Sequence, residues 1–272
     1  MRMLRSVGVL VAAGVLVVGV GSAGSASATP DGSANAMGYY LALGDSLAAG
    51  YQPGQGDDKA GGYTGPVLDA IQASTSKTRL VNLACSGETT TTMVSGGRCA
   101  YDEGSQLDQA LEFLHAHGKY TRVVTVQIGA NDVQRCVSRS PLSVDVPCVQ
   151  AGLTAVATNL PLVLAKIRAL APEAQVIVLN YYNPFLVAYL VGDRDLGALS
   201  TALQQELNAV IGRAAGGTDA EVADVAAAFH SLEPATNVTY ICTYTWMCAL
   251  GDIHANDAGY ALIAQTVVAR LG

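Results

Sequence analysis

Four short segments of the chain carry side chains suited to acyl transfer, and three of them directly follow predicted strands. The segments span residues 44–47, 85–87, 129–132 and 251–254, the last just before the final predicted helix. Together they offer a serine hydroxyl, a glycine amide, a side-chain amide and an imidazole with a nearby carboxylate. Such groups can act as nucleophile, oxyanion donors and general base. The pattern therefore indicates the chemistry of acyl transfer.

The elements that must position these groups follow from the hydrophobic pattern. Short apolar runs predict strands at 39–43, 79–84, 122–128, 175–180 and 221–225. Helical periodicity predicts helices at 66–73, 107–117, 151–170, 196–213 and 257–271, the last capped by Asn256. This alternation predicts one α/β domain over residues 39–272, a three-layer α/β/α fold with a mainly parallel sheet. Ligands of such sheets bind beyond the carboxyl ends of the strands, so we expect the four segments to share one crevice. Ser46 would begin a helix there, with its own N–H among the oxyanion donors.

Composition and the N-terminus indicate an exported protein. Of the 272 residues, 50% are apolar and only 14% are charged, and the mean hydropathy is +0.31. A net charge of −7 has the wrong sign for a nucleic-acid binder. Arg2 and Arg5, the apolar stretch 7–20 and the small residues ending at Ala28 predict a signal peptide, residues 1–28. A flexible mature N-terminus would follow at 29–38. The alternative is an uncleaved anchor, but the run is shorter than the roughly 20 residues that span a bilayer.

The six cysteines agree with export, because an oxidising compartment preserves disulfides. Sequence does not fix their connectivity. We expect nearest-neighbour pairs, since each pair brackets a loop-like stretch with Gly or Pro: Cys85 with Cys99, Cys136 with Cys148 and Cys242 with Cys248. The alternative is a zinc site, which the absence of a C-x-x-C motif and of nearby histidines disfavours. We expect neither a metal nor a cofactor.

The order and setting of these residues resemble the SGNH hydrolase superfamily of GDSL esterases and lipases. Its four signature residues correspond to Ser46, Gly87, Asn131 and His254, and the resemblance spans positions 39–268. It implies that Ser46 attacks a carboxylic ester with His254 as general base. It also implies that the N–H groups of Ser46 and Gly87 and the Asn131 amide hold the oxyanion. The paired cysteines and residues 181–185 are similar to those of secreted actinobacterial lipase-like members.

The partner of His254 departs from the family pattern, which usually places Asp three residues before the histidine. Gly251 stands at that position here, and Asp252 lies two residues before His254. Either Asp252 accepts a hydrogen bond from Nδ1 of His254, or a backbone carbonyl at 251 or 252 does so and leaves a Ser–His dyad. Asp45 and Asp132 adjoin the signature residues and either brace the site or cap helices.

The substrate is indicated only by the apolar segment 184–191, which follows a strand end. It either walls a groove for an acyl chain or is ordinary core packing. We expect a small-molecule or lipid ester as substrate, a monomer, and transient contact with a lipid surface. One alternative is a carbohydrate acetyl-esterase. Another is a non-catalytic extracellular binding protein, which the presence of both nucleophile and base disfavours.

Overall fold

The strands form one parallel sheet and one small hairpin. The computed structural model describes residues 37–139 and 142–272, so the predicted signal peptide and residues 29–36 lie outside the described part. The strands are β1 (Gly38–Gly44), β2 (Thr78–Asn82), β3 (Thr121–Gln127), β4 (Val137–Arg139), β5 (Leu142–Val144), β6 (Gln175–Leu179) and β7 (Glu221–Ala223). The five predicted strands are confirmed. The hairpin β4–β5 is an addition that the sequence pattern did not predict.

The sheet has the order β2-β1-β3-β6-β7, and every neighbouring pair is parallel. Counted along the chain within this sheet, the order is 2-1-3-4-5, as in flavodoxin-like folds. The chain leaves β1 toward one edge of the sheet and leaves β3 toward the other. Ligand crevices form at this reversal, outside the carboxyl ends of the strands. The site is therefore expected between the segments that follow β1 and β3.

Helices cover both faces of the sheet. They are α1 (Thr64–Ser74), α2 (Thr90–Ser95), α3 (Gln106–His117), α4 (Ala130–Gln134), α5 (Val146–Leu170), α6 (Arg194–Gly216), α7 (Val225–Ala228), α8 (Pro234–Tyr244), α9 (Met247–Leu250) and α10 (Asp257–Val268). Two 3-10 helices span Gly118–Tyr120 and Pro184–Val191. One layer gathers α2, α3, α4 and α6 around α5, and the other gathers α1, α7 and α8 around α10. The predicted three-layer fold is confirmed.

Polar capping residues explain why α5 and α6 begin before the positions that the apolar pattern predicts. The side chain of Asp145 accepts a hydrogen bond from the Cys148 N–H and starts α5. Asp193 accepts one from the Leu196 N–H and starts α6. Capping satisfies amides that the first turn leaves without partners. Asn256 caps α10 as predicted, through the N–H of Gly259.

Helix α5 is long and apolar enough to cross a membrane by length and composition, and it is the one such helix among the described residues. It packs against α2, α3, α4 and α6. Val156, Leu160, Val163 and Ile167 on its inner face are fully buried. The inner face of this helix therefore forms part of the interior of the α/β domain.

Candidate active site

Ser46 lies in a tight turn at the carboxyl end of β1. Gly44 has φ +143°, and a Cβ there would come within 2.1 Å of the Gln127 carbonyl oxygen, so only glycine lets the chain pass this close to β3. The Asp45 N–H then donates to the same carbonyl at 3.0 Å. Residues 45–50 form turns rather than a helix. The prediction that Ser46 begins a helix is wrong, because Gly50, at φ +69°, turns the chain away after a single loop.

Two buried polar side chains fix this turn. The amide of Gln106 pairs with the backbone of Gly44, accepting from its N–H at 2.7 Å and donating to its carbonyl at 3.0 Å. Asp45 accepts from the Leu47 N–H at 3.0 Å and from the Tyr181 hydroxyl at 2.5 Å. Burial raises the pKa of Asp45 to about 7. Asp45 thus braces the site, one of the two roles foreseen for it.

His254 faces Ser46 from the loop before α10. Its Nε2 lies 2.8 Å from Ser46 Oγ, and its Nδ1 lies 2.7 Å from Asp252 Oδ1. The same carboxylate oxygen accepts the backbone N–H of His254 at 2.9 Å. The side chains of His254 and Asp252 are 16% and 29% exposed. Of the two alternatives for the histidine partner, the structure thus places the Asp252 carboxylate at Nδ1.

The loop that carries His254 is held by aromatic residues. The Tyr182 hydroxyl donates to the Ile253 carbonyl at 2.6 Å, and the ring of Tyr51 lies 4.5 Å from that of His254, centroid to centroid. Tyr181 and Tyr182, side by side after β6, therefore secure the turn of Ser46 and the loop of His254. Sequence reasoning assigned no role to either tyrosine. Their position directly after a strand was the available signal.

Gly87 lies in the loop after β2 and Asn131 lies on α4, after β3, and both carry N–H groups. Asn131 donates through Nδ2 to the Glu88 carbonyl at 2.9 Å, and the second hydrogen of this amide has no acceptor among the described residues. Within residues 37–139 and 142–272, the backbone N–H groups of Ser46 and Gly87 have no hydrogen-bond acceptor. Unpaired N–H groups of this kind are what an oxyanion requires.

Asp132 fixes the helix that carries Asn131. Its carboxylate accepts the N–H of Thr90 at 2.8 Å and the Thr90 hydroxyl at 2.7 Å, which ties α4 to the start of α2. The carboxyl group is buried, and burial raises its pKa. Asp132 therefore braces the site rather than facing it.

A cavity of about 640 Å³ opens beside Ser46, Asn131 and His254. Gly87 does not line it. Apolar side chains from the 3-10 helix, the hairpin, α6 and α9 make most of its wall: Val137, Val144, Phe185, Val187, Leu190, Val191, Leu196, Leu199, Leu203, Leu207 and Met247. The segment 184–191 thus lines a groove next to the serine, while its Leu186 is fully buried in the core. The segment therefore both lines this cavity and contributes to the core.

The six cysteines form three disulfides, Cys85–Cys99, Cys136–Cys148 and Cys242–Cys248. This is the nearest-neighbour pairing. Disulfides in this number are typical of secreted proteins. In the part of the chain that the structure describes, no group of three or more His, Cys, Asp or Glu side chains is placed to hold a metal ion.

A hydroxyl, an imidazole and a carboxylate hydrogen-bonded in series form the arrangement of serine hydrolases, here on an α/β/α fold. The chain belongs to the GDSL-like lipase/acylhydrolase family, the SGNH hydrolases, whose model matches residues 42–262. It is a carboxylic ester hydrolase of the esterase or lipase type.

Solved structures share this fold. The lipase Lip_vut3 from a goat rumen metagenome has a TM-score of 0.62 at 20% identity, covering 87% of this chain and 100% of its own. The acetylxylan esterase Axe2 from Geobacillus stearothermophilus has a TM-score of 0.57 at 18% identity, covering 88% of this chain and 96% of its own. No curated protein gives a significant match.

Proposed function

We propose that the chain is a secreted serine esterase for apolar acyl esters, with Ser46 as nucleophile, His254 as general base and Asp252 as the residue that orients His254. The observation that carries this proposal is the hydrogen-bonded series from Ser46 Oγ through His254 to Asp252 Oδ1, located at the mouth of an apolar cavity. Because Asp252 accepts from Nδ1, Nε2 is left without a proton and can take that of Ser46.

The reaction then follows in two halves. Ser46 Oγ bonds to the ester carbonyl carbon while its proton moves to His254 Nε2, and the carbonyl oxygen becomes an oxyanion. The N–H groups of Ser46 and Gly87 and the free amide hydrogen of Asn131 stabilise that charge. One such donor is worth about 3 kcal/mol in other hydrolases. Collapse expels the alcohol, which takes the proton from His254, and water then releases the acid by the same steps.

The wall of the cavity supports an acyl chain as the group it binds. Burying a methylene group contributes about 0.8 kcal/mol, so each added CH₂ can raise kcat/KM by up to about fourfold while the groove has room. A substrate with an acetyl group would leave this apolar surface unused.

The test is hydrolysis of p-nitrophenyl esters from acetyl to palmitoyl. We expect kcat/KM to rise from acetyl to at least octanoyl. Val187→Trp, which narrows the groove, should lower octanoyl hydrolysis more than acetyl hydrolysis. The matched control Val268→Trp lies on α10, outside the cavity. A preference for acetyl would contradict the proposal and favour a carbohydrate acetyl-esterase.

Export and surface contact belong to the same proposal. The three disulfides support an extracellular location. Leu190 and Val191, 63% and 84% exposed at the groove, support transient contact with lipid. Cleavage after Ala28 and a monomeric state stay predictions. N-terminal sequencing of the exported protein and gel filtration test them.

A further inference from the structure

A second cavity of about 380 Å³ adjoins the apolar one, and its character is different. The two share Asn131, Gln134, Val137 and Phe185 as a common wall. The second cavity is otherwise lined by Gly87, Thr89, Arg98 and Arg135. Two arginines therefore lie beside Gly87 and Asn131, the residues proposed to bind the oxyanion together with Ser46.

Arg98 is held in place against Gly87. Its Nε donates to the Ser86 carbonyl at 2.9 Å, and a Cβ built on Gly87 would come within 2.4 Å of its Nη2. The Cys85–Cys99 disulfide joins the two ends of the intervening segment, which fixes the loop of Arg98 beside that of Gly87. In the described part of the chain, its two terminal nitrogens make no hydrogen bond or ion pair. Four N–H donors and a charge thus remain available.

Arg135 completes the positive side of this cavity. It follows α4 and is exposed, and its side chain makes no hydrogen bond or ion pair with any described residue. Burial raises the pKa of the Glu88 and Asp132 carboxyl groups, whereas the charges of Arg98 and Arg135, respectively, act to lower it. Both of these carboxyl groups are buried, and neither residue lines the cavity. In a chain of net charge −7, two arginines that form no salt bridge with a described residue line one cavity whose wall contains no acidic residue, which makes the cavity locally positive.

We propose that this cavity binds a phosphate carried by the alcohol part of the ester, while the apolar cavity holds the acyl chain. The proposal rests on the proposed function, since it assigns the second half of the same substrate. Guanidinium groups bind phosphate through paired N–H donors and stay charged at every physiological pH. The substrate class is an acyl ester of a phosphorylated alcohol, of which a glycerophospholipid is one source and a soluble acyl-glycerol phosphate another.

The experiment compares two soluble esters, 1-octanoyl-glycerol and 1-octanoyl-glycerol 3-phosphate, below the concentrations at which they form micelles. We expect wild type to hydrolyse the phosphorylated ester with at least about tenfold higher kcat/KM, mainly through KM, since a hydrogen bond to a charged group is worth at least that factor. Added salt should shrink the advantage. Short-chain and bilayer phospholipids, assayed alongside, distinguish a soluble source from a membrane source.

The variants Arg98→Gln and Arg135→Gln should each lower the ratio of phosphorylated to neutral kcat/KM by about tenfold. Arg98→Lys keeps the positive charge but loses the paired N–H donors of the guanidinium group, so its ratio should lie between those of wild type and Arg98→Gln. The matched control is Arg79→Gln, an exposed arginine near the start of β2, whereas the cavity residues follow the carboxyl ends of the strands, and it should leave the ratio unchanged. Glycerol 3-phosphate should compete with the neutral ester in wild type and lose affinity in both cavity variants.

Equal rates of wild type on the two esters would overturn the subsite. So would a loss that is the same for both esters in Arg98→Gln, because the arginine would then support the oxyanion rather than bind phosphate. Failure of the proposed function is a separate result. It would appear as hydrolysis of the neutral ester by Ser46→Ala at the wild-type rate.

Discussion

Replacing Asp252 by Asn tests how the carboxylate assists His254. Both the Nδ1 hydrogen and the backbone N–H of His254 bond to the same oxygen, Oδ1, at 2.7 and 2.9 Å. The amide oxygen of Asn can take that place and accept both, so the histidine tautomer is preserved. The variant therefore loses the negative charge and keeps the hydrogen bonds.

The size of the effect follows from the geometry of the pair. Two charges about 4 Å apart at an effective dielectric constant of 20 interact by about 4 kcal/mol. Asp252 is 29% exposed, and water screens such a pair to about 2–3 kcal/mol. We therefore expect kcat of Asp252→Asn to fall by about 30- to 150-fold. Asp252→Ala removes the acceptor as well and should approach the roughly 10⁴-fold loss caused by a misplaced tautomer in serine proteases.

The assay is steady-state hydrolysis of p-nitrophenyl octanoate, with thermal unfolding to establish that each variant is folded. Asp69→Asn, an exposed carboxylate on α1, is the matched control and should act like wild type. Activity of Asp252→Asn within threefold of wild type would show that the charge is not used. Equal losses in the Asn and Ala variants would refute the argument from the shared oxygen.

Three further outcomes are expected. Tyr182→Phe removes the 2.6 Å hydrogen bond to the Ile253 carbonyl, so kcat should fall about tenfold at nearly constant KM. A change in KM alone would contradict the role of Tyr182 in positioning the loop of His254. Burial raises the pKa of Asp45 to about 7, so the protonated carboxyl group favours the folded state fully below about pH 4, and this contribution is lost as the pH rises through about 7. In urea titrations, the free energy of unfolding of wild type relative to Asp45→Asn should therefore decline by up to about 4 kcal/mol over this range. A difference that does not change with pH would contradict this prediction. The double variant Cys85→Ser/Cys99→Ser should lose about 3 kcal/mol, or about 6–12 °C in Tm by calorimetry, and an unchanged Tm would show that this disulfide adds no stability.

The sheet was predictable because buried parallel strands are nearly continuous apolar runs. Val124 and Val126 of β3 are fully buried, and the pattern around them is unambiguous. The hairpin was not, since its two strands have three residues each and lack a clear alternation. Helix α2 was missed as well. It is rich in Thr, and the capping box of Thr89 with Thr92 fixes its start.

The site was predictable where strand ends carry the reacting groups, as for Ser46 and Asn131. Contacts between residues that are distant in the sequence could not be predicted, because hydrophobic periodicity carries no information about them. Tyr181 reaches Asp45 across 136 positions, and the Gln106 amide pairs with Gly44 across 62. The atom facing His254 Nδ1 also required coordinates, since Asp252 and two carbonyls were equally close in the chain.

The central claim is that Ser46 forms the acyl-enzyme. Rapid acid quenching during turnover of p-nitrophenyl octanoate, followed by mass spectrometry of the peptides, measures this directly. We expect one octanoyl group per molecule, on the peptide containing Ser46, and no such group in His254→Ala on the same timescale. An octanoyl group on another residue, or turnover by Ser46→Ala at the wild-type rate, would contradict it.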